Sequence, residues 1–84
     1  MDKNTAIIIL KIHKRKMEVD LEIPLDITAN ELVNGLNEAF YLDINVSDIN
    51  HCYLKTENPI ALLKGNRTLG EYGLRNGSII NVTE

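Results

Sequence analysis

Three side chains could act as nucleophile, base or metal ligand of the softer kind: Cys52, His13 and His51. A thiolate and an imidazole make a nucleophilic pair only within hydrogen-bond reach, with a third group to orient the ring. His51 adjoins Cys52, and neighbouring residues of a strand point to opposite faces. His13 falls far earlier in the chain, at the end of a hairpin. The expectation is therefore Cys52 as a small core residue and both histidines solvated. No three or four His, Cys, Asp or Glu residues have the spacing of a metal site, so no catalytic group, metal or cofactor is expected. A lone cysteine also excludes an internal disulfide and gives no sign of an oxidising compartment.

Charge raises a second chemistry, phosphate recognition. Lys11, Lys14, Arg15 and Lys16, with His13 among them, hold four of the nine Lys and Arg residues. No aromatic residue interleaves them for base stacking, and Glu18, Asp20 and Glu22 run alongside to repel phosphates. The net charge of −3 is too near neutral to say much about a polyanionic partner. A solvated hairpin tip is expected here, with no nucleic acid as partner.

Such residues must be positioned by something, and the elements are legible. From Met17 to Ile23, apolar Met17, Val19, Leu21 and Ile23 alternate with acidic Glu18, Asp20 and Glu22. A period of two marks a half-buried strand. Thr5 to His13 is rich in β-branched residues and reads as its partner, with a turn near Lys14 and Arg15. The register that keeps acids out of the core pairs Ile12 with Met17, Leu10 with Val19 and Ile8 with Leu21 inside, and Lys11 with Glu18 outside. Pro24 ends the second strand.

Thr28-Ala29-Asn30-Glu31 reads as a capping box, so a helix should begin at Ala29 and fade near Tyr41 or Leu42. Leu32, Val33, Leu36, Ala39 and Phe40 form its apolar stripe, and Gly35 within it suggests close approach to a strand. His51 to Thr56 is a third strand, Asn58-Pro59 a turn, Ile60 to Leu63 a fourth strand, and Lys64-Gly65-Asn66 a further turn. Asn76-Gly77 turns the chain into a last strand, Ser78 to Val82.

At 84 residues, 44% of them apolar and 25% charged, one folded domain over residues 1–84 is expected, burying roughly 60–65% of its unfolded surface. The fold class is α+β, one helix across a mixed four- to five-stranded sheet. The longest apolar run, Ala6 to Leu10, is far too short to cross a bilayer, and no signal-peptide pattern opens the chain, so a cytoplasmic location is expected.

Arg67-Thr68-Leu69-Gly70-Glu71-Tyr72-Gly73-Leu74, followed by a turn and a strand, resembles the segment before the last strand of ubiquitin-like β-grasp proteins. The order of elements agrees over roughly residues 5–83. The resemblance implies a leucine and a tyrosine anchoring a tight turn, with a short turn of helix before the last strand. Within that superfamily, the length and the stretch from Leu69 to Gly77 make the chain similar to the YukD/EsaB family. That resemblance implies an accessory protein of the type VII (WXG100, Ess-type) secretion systems of Gram-positive bacteria.

Ubiquitin-like modifiers and sulfur carriers end in a Gly-Gly tail, whereas this sequence ends Val82-Thr83-Glu84. The expectation is an unconjugated binding module, and not an enzyme. The competing readings are a modifier or sulfur carrier needing C-terminal activation, and a Ras-binding-like scaffold domain. Met1 and an end directly after the last strand favour a stand-alone chain over the latter.

The contact surface follows from strand parity. With Ile8, Leu10, Ile12, Ile80 and Val82 inward, Ile7, Ile9 and Ile79 point to solvent, an apolar set that monomers avoid unless it binds something. Strand propensity and shielding by lysine stems would account for it equally well. Ile7, Ile9, Tyr53 and Ile79 are the expected protein contacts, with Lys11 and Lys55 as flanking charges, and a secretion-machine component or its regulator as partner.

Overall fold

The computed structural model describes residues 4–42, 44 and 53–82, so the expectations for His51, Cys52, Thr83 and Glu84 lie outside the described residues. Strands β1 (Thr5–Ile12) and β2 (Met17–Pro24) form the antiparallel hairpin in the register that alternation dictates. Ile8, Leu10 and Ile12 are buried opposite Leu21, Val19 and Met17. Outside, Lys11 Nζ lies 3.8 Å from Glu18 Oε2. Their connection is a single 3₁₀ turn, His13–Arg15, closed by Lys16 in the left-handed region at φ 54°. β1 therefore ends at Ile12, one residue short of expectation, and Met17, at the turn end of the hairpin, is 38% exposed instead of buried.

Helix α1 (Ala29–Phe40) begins at its predicted cap. The Thr28 hydroxyl accepts from Glu31 N–H at 3.1 Å, and the Glu31 carboxylate accepts from Thr28 N–H at 2.8 Å. Two groups that the helix start would orphan are thus satisfied reciprocally. Further donors there go to the chain after the fourth strand, Ala29 N–H to the Arg67 carbonyl and Asn30 N–H to the Gly65 carbonyl. Ala29, Leu32, Val33 and Leu36 bury one stripe, and Phe40 is half-buried. Ala39 is exposed, because it sits just past the edge of that stripe. Gly35 is exposed too, with no atom within 4 Å of where a Cβ would stand, so it marks no close approach.

After Tyr41, which ends α1 at φ 53°, the described chain resumes with β3 (Leu54–Glu57), β4 (Ala61–Leu63) and β5 (Ile79–Val82). Ile60 belongs to the turn, not to the fourth strand, and Ser78 precedes the last one. Ser78 is nonetheless buried, its hydroxyl donating to the Asn58 carbonyl at 2.6 Å and accepting from Arg75 N–H at 2.9 Å. The sheet runs β2-β1-β5-β3-β4, with β1 and β5 parallel in the middle and the other pairings antiparallel. Five strands thus resolve the expected four to five.

The stretch Leu69 to Gly73 is a series of hydrogen-bonded turns instead of a short helix. Its anchors are those expected: Leu69 is fully buried, and the Tyr72 hydroxyl donates to the Lys64 carbonyl at 2.6 Å. The Arg67 guanidinium lies 5.1 Å from the centre of the Tyr72 ring, in cation–π range. Gly73, at φ 85°, supplies the left-handed turn that delivers Leu74 to the core. All buried side-chain polar atoms among the described residues have partners, as a closed core requires.

Candidate functional site: the outer face of the sheet

The inner face of the sheet carries the core with α1, so the outer face is where unabsorbed side chains collect. Ile9 of β1 is directly opposite Ile79 of β5, and neighbouring strands lie about 4.8 Å apart, so the two side chains are contiguous. Ile7, two residues before Ile9 on the same face, is 53% exposed. The parity on which this surface depends is as expected: Ile8, Leu10, Ile80 and Val82 are buried while Ile7, Ile9 and Ile79 face out. On β3 the outward residues are Lys55 and Glu57, and on β4 Leu62, which is 38% exposed opposite Lys55. Ile60, at the turn, is 90% exposed. Together, Ile60, Leu62 and the stems of Lys55 and Glu57 line a shallow, mainly apolar groove at this end of the sheet.

A polar inset divides the two apolar parts. Asn81 occupies the outer face of β5 between Lys11 and Lys55, yet is only 8% exposed. Its amide nitrogen donates to Glu57 Oε2 at 2.9 Å, and its Oδ1 lies 2.7 Å from His13 Nε2. Since an ionised carboxylate only accepts, the amide orientation is set, and His13 Nε2 is the donor. His13 is exposed as expected, but it is tied to the sheet instead of being free in solvent. This His13–Asn81–Glu57 chain links the turn after β1 to β5 and β3.

Of the residues singled out in the sequence, Ile7, Ile9, Lys11, Lys55 and Ile79 share this face. Tyr53 is half-buried just before β3 and has no cross-strand partner among the described residues. Missed were Ile60 and Leu62, and the Asn81 link. In Ile60-Ala61-Leu62-Leu63 four successive apolar residues carry no alternation, so which of them faces out is decided by pairing with β3. The basic tip is likewise not all solvated: Arg15 donates from both terminal nitrogens to the Phe40 and Tyr41 carbonyls at the end of α1.

Among the described residues, no group of three or more His, Cys, Asp or Glu could hold a metal ion. No helix among them is long and apolar enough to cross a membrane. What this face offers is shape, apolar area and a few fixed charges, the means of binding another surface.

Solved structures similar to this chain include ubiquitin-like domains. The C-terminal ubiquitin-like domain of mouse tubulin-specific chaperone e matches over 98% of this chain and 88% of its own, at 16% identity and a TM-score of 0.72. Trypanosoma brucei tubulin-binding cofactor B matches over 92% and 91%, at 14% identity and 0.67. The UBL domain of Plasmodium falciparum Dsk2 matches over 92% and 96%, at 22% identity and 0.59. At these identities the likeness establishes the fold, an α+β ubiquitin-like β-grasp. No curated protein sequence matches the chain. The model of the family described as "WXG100 protein secretion system (Wss), protein YukD" matches residues 7–82, from the exposed Ile7 to the buried Val82, and the chain belongs to that family.

Proposed function

We propose that this chain is a non-catalytic adaptor or regulator, one ubiquitin-like domain over residues 1–84, that works in the cytoplasm as an accessory to a bacterial type VII secretion system. It binds a protein component of that machine, or a regulator of it, through the outer face of the sheet. The observation that carries the reading is the apolar face itself. Ile7, Ile9 and Ile79 form one apolar part and the groove at Ile60 and Leu62 the other, on either side of the Asn81 inset, on a surface where alternation would place polar residues. The family description, which names a WXG100 secretion system, supports the setting. Lys11 and Lys55 flank the apolar parts and would orient an acidic rim on the partner.

The test uses charges that the fold tolerates. Ile7 pairs with Glu22 and Leu62 with Lys55, so Ile7→Lys and Leu62→Glu each place a new charge opposite its complement. Stability should change by no more than about 0.5 kcal/mol. Capture of secretion-machine components by the tagged chain in native lysate should fall by at least about tenfold, as expected for truncating a buried apolar anchor. Undiminished capture by the double variant would remove the sheet face from the reading.

A further inference from the structure

One edge of the sheet is open in a way that the outer-face reading does not use. β2 is the terminal strand of the order β2-β1-β5-β3-β4, and its eight residues pair with β1 in unbroken register from Met17 to Pro24. Left-handed backbone occurs before it at Lys16 but nowhere within it, and Pro24 is its last residue. Among the described residues, no backbone hydrogen bond of a turn or loop involves residues 17–24. Alternate N–H and C=O groups of β2 therefore point away from the sheet, a template for another strand.

The side chains state what that strand must be. On the outer face the edge presents Glu18, Asp20 and Glu22 in an uninterrupted row, all exposed. On the inner face Met17, Val19 and Leu21 are incompletely covered, and only Ile23 is buried. A second copy of β2 added antiparallel about Asp20 would set Asp20 against Asp20, and Glu18 against Glu22. Like charges directly opposite are destabilising, so the acid row rejects self-pairing. A strand with Lys or Arg at every second position meets the same row as complementary pairs. Its intervening apolar residues then extend the sheet over Met17, Val19 and Leu21.

We propose that the free edge of β2 is a second docking site, filled by an extended segment of another protein in which basic and apolar residues alternate. The mode is strand addition: main-chain hydrogen bonds supply the attachment and the acid row selects the sequence. It is independent of the apolar patch around Ile79.

The probe is an end-capped Lys-Val-Lys-Val-Lys peptide, titrated into the intact chain and followed by amide chemical shifts and hydrogen exchange. Binding should perturb and protect amides of β2, weaken as salt rises, and be absent with Glu-Val-Glu-Val-Glu. In an extended peptide, only the lysine nitrogens or only the valine nitrogens face β2. N-methylating one set should therefore abolish binding while N-methylating the other leaves it intact. Asp20→Lys, at an exposed position, should weaken binding about tenfold with the spectrum otherwise native. Equal tolerance of both N-methylated peptides would show charge attraction without strand addition and overturn the proposal. So would perturbation confined to Ile7, Ile9 and Ile79, self-association through β2 at neutral pH, or no binding at all.

Discussion

Arg15 carries the guanidinium that closes the C-terminal end of α1. Its two terminal nitrogens donate to the Phe40 and Tyr41 carbonyls, the groups a helix end leaves without intrahelical partners. The positive charge also lies at the negative end of the helix dipole. Arg15→Ala should therefore destabilise the fold by about 1 kcal/mol, less than a buried charged hydrogen bond because the site is exposed. Arg15→Lys should recover only part of this, since an ammonium keeps the dipole contact and loses the fork. Urea midpoints at unchanged slope would measure both; an Arg15→Ala midpoint equal to the parent's would return Arg15 to the solvated tip. Nothing in the local sequence distinguishes Arg15 from Lys14 or Lys16, because the carbonyls that select it lie 25 and 26 residues away. The His13–Asn81 contact, 68 residues apart in sequence, was hidden for the same reason. Side chains whose partners are distant in sequence are placed by the fold, and pattern alone reads them as surface.

Elements were legible where a local rule applies over many residues. The hairpin register follows from seven residues of alternation, which a one-residue slip would invert, and the start of α1 follows from a reciprocal hydrogen-bonded pair. β4, with three residues, is too short to show a period, and so Leu62 and Ile60 went unrecognised as part of the outer face. Gly35 is instructive in the other direction. Its position inside an apolar stripe suggested a packing need, yet space around it is open and its φ is not in the left-handed region. The helix there bears the entropic cost of glycine with no compensating contact. Gly35→Ala should stabilise the chain by about 0.5–1 kcal/mol, raising Tm by roughly 3–6 °C in calorimetry. A fall in Tm would mean that Gly35 serves a contact in the folded state after all.

At the scale of the whole molecule, the outer face and the net charge oppose each other. An apolar surface of this kind favours association between copies, and a net charge of −3 at pH 7 resists it. The balance should shift near the isoelectric point of about 5.3, where the repulsion vanishes while the apolar area does not change. Sedimentation velocity at that pH should show a concentration-dependent rise in mean sedimentation coefficient, absent at pH 7. The Ile7→Lys, Leu62→Glu double variant adds one positive and one negative charge, so its net charge at pH 7 equals the parent's. It should remain monomeric at both pH values. Equal association by parent and variant would exclude the outer face as the cause and point to the β2 edge. Leu62 lies on β4, at the opposite end of the strand order from β2, so Leu62→Glu alone separates the two surfaces within one molecule. Asp20→Lys in the same background assigns any association that remains: by breaking the acid row it should strengthen association that the edge carries, and leave it unchanged otherwise.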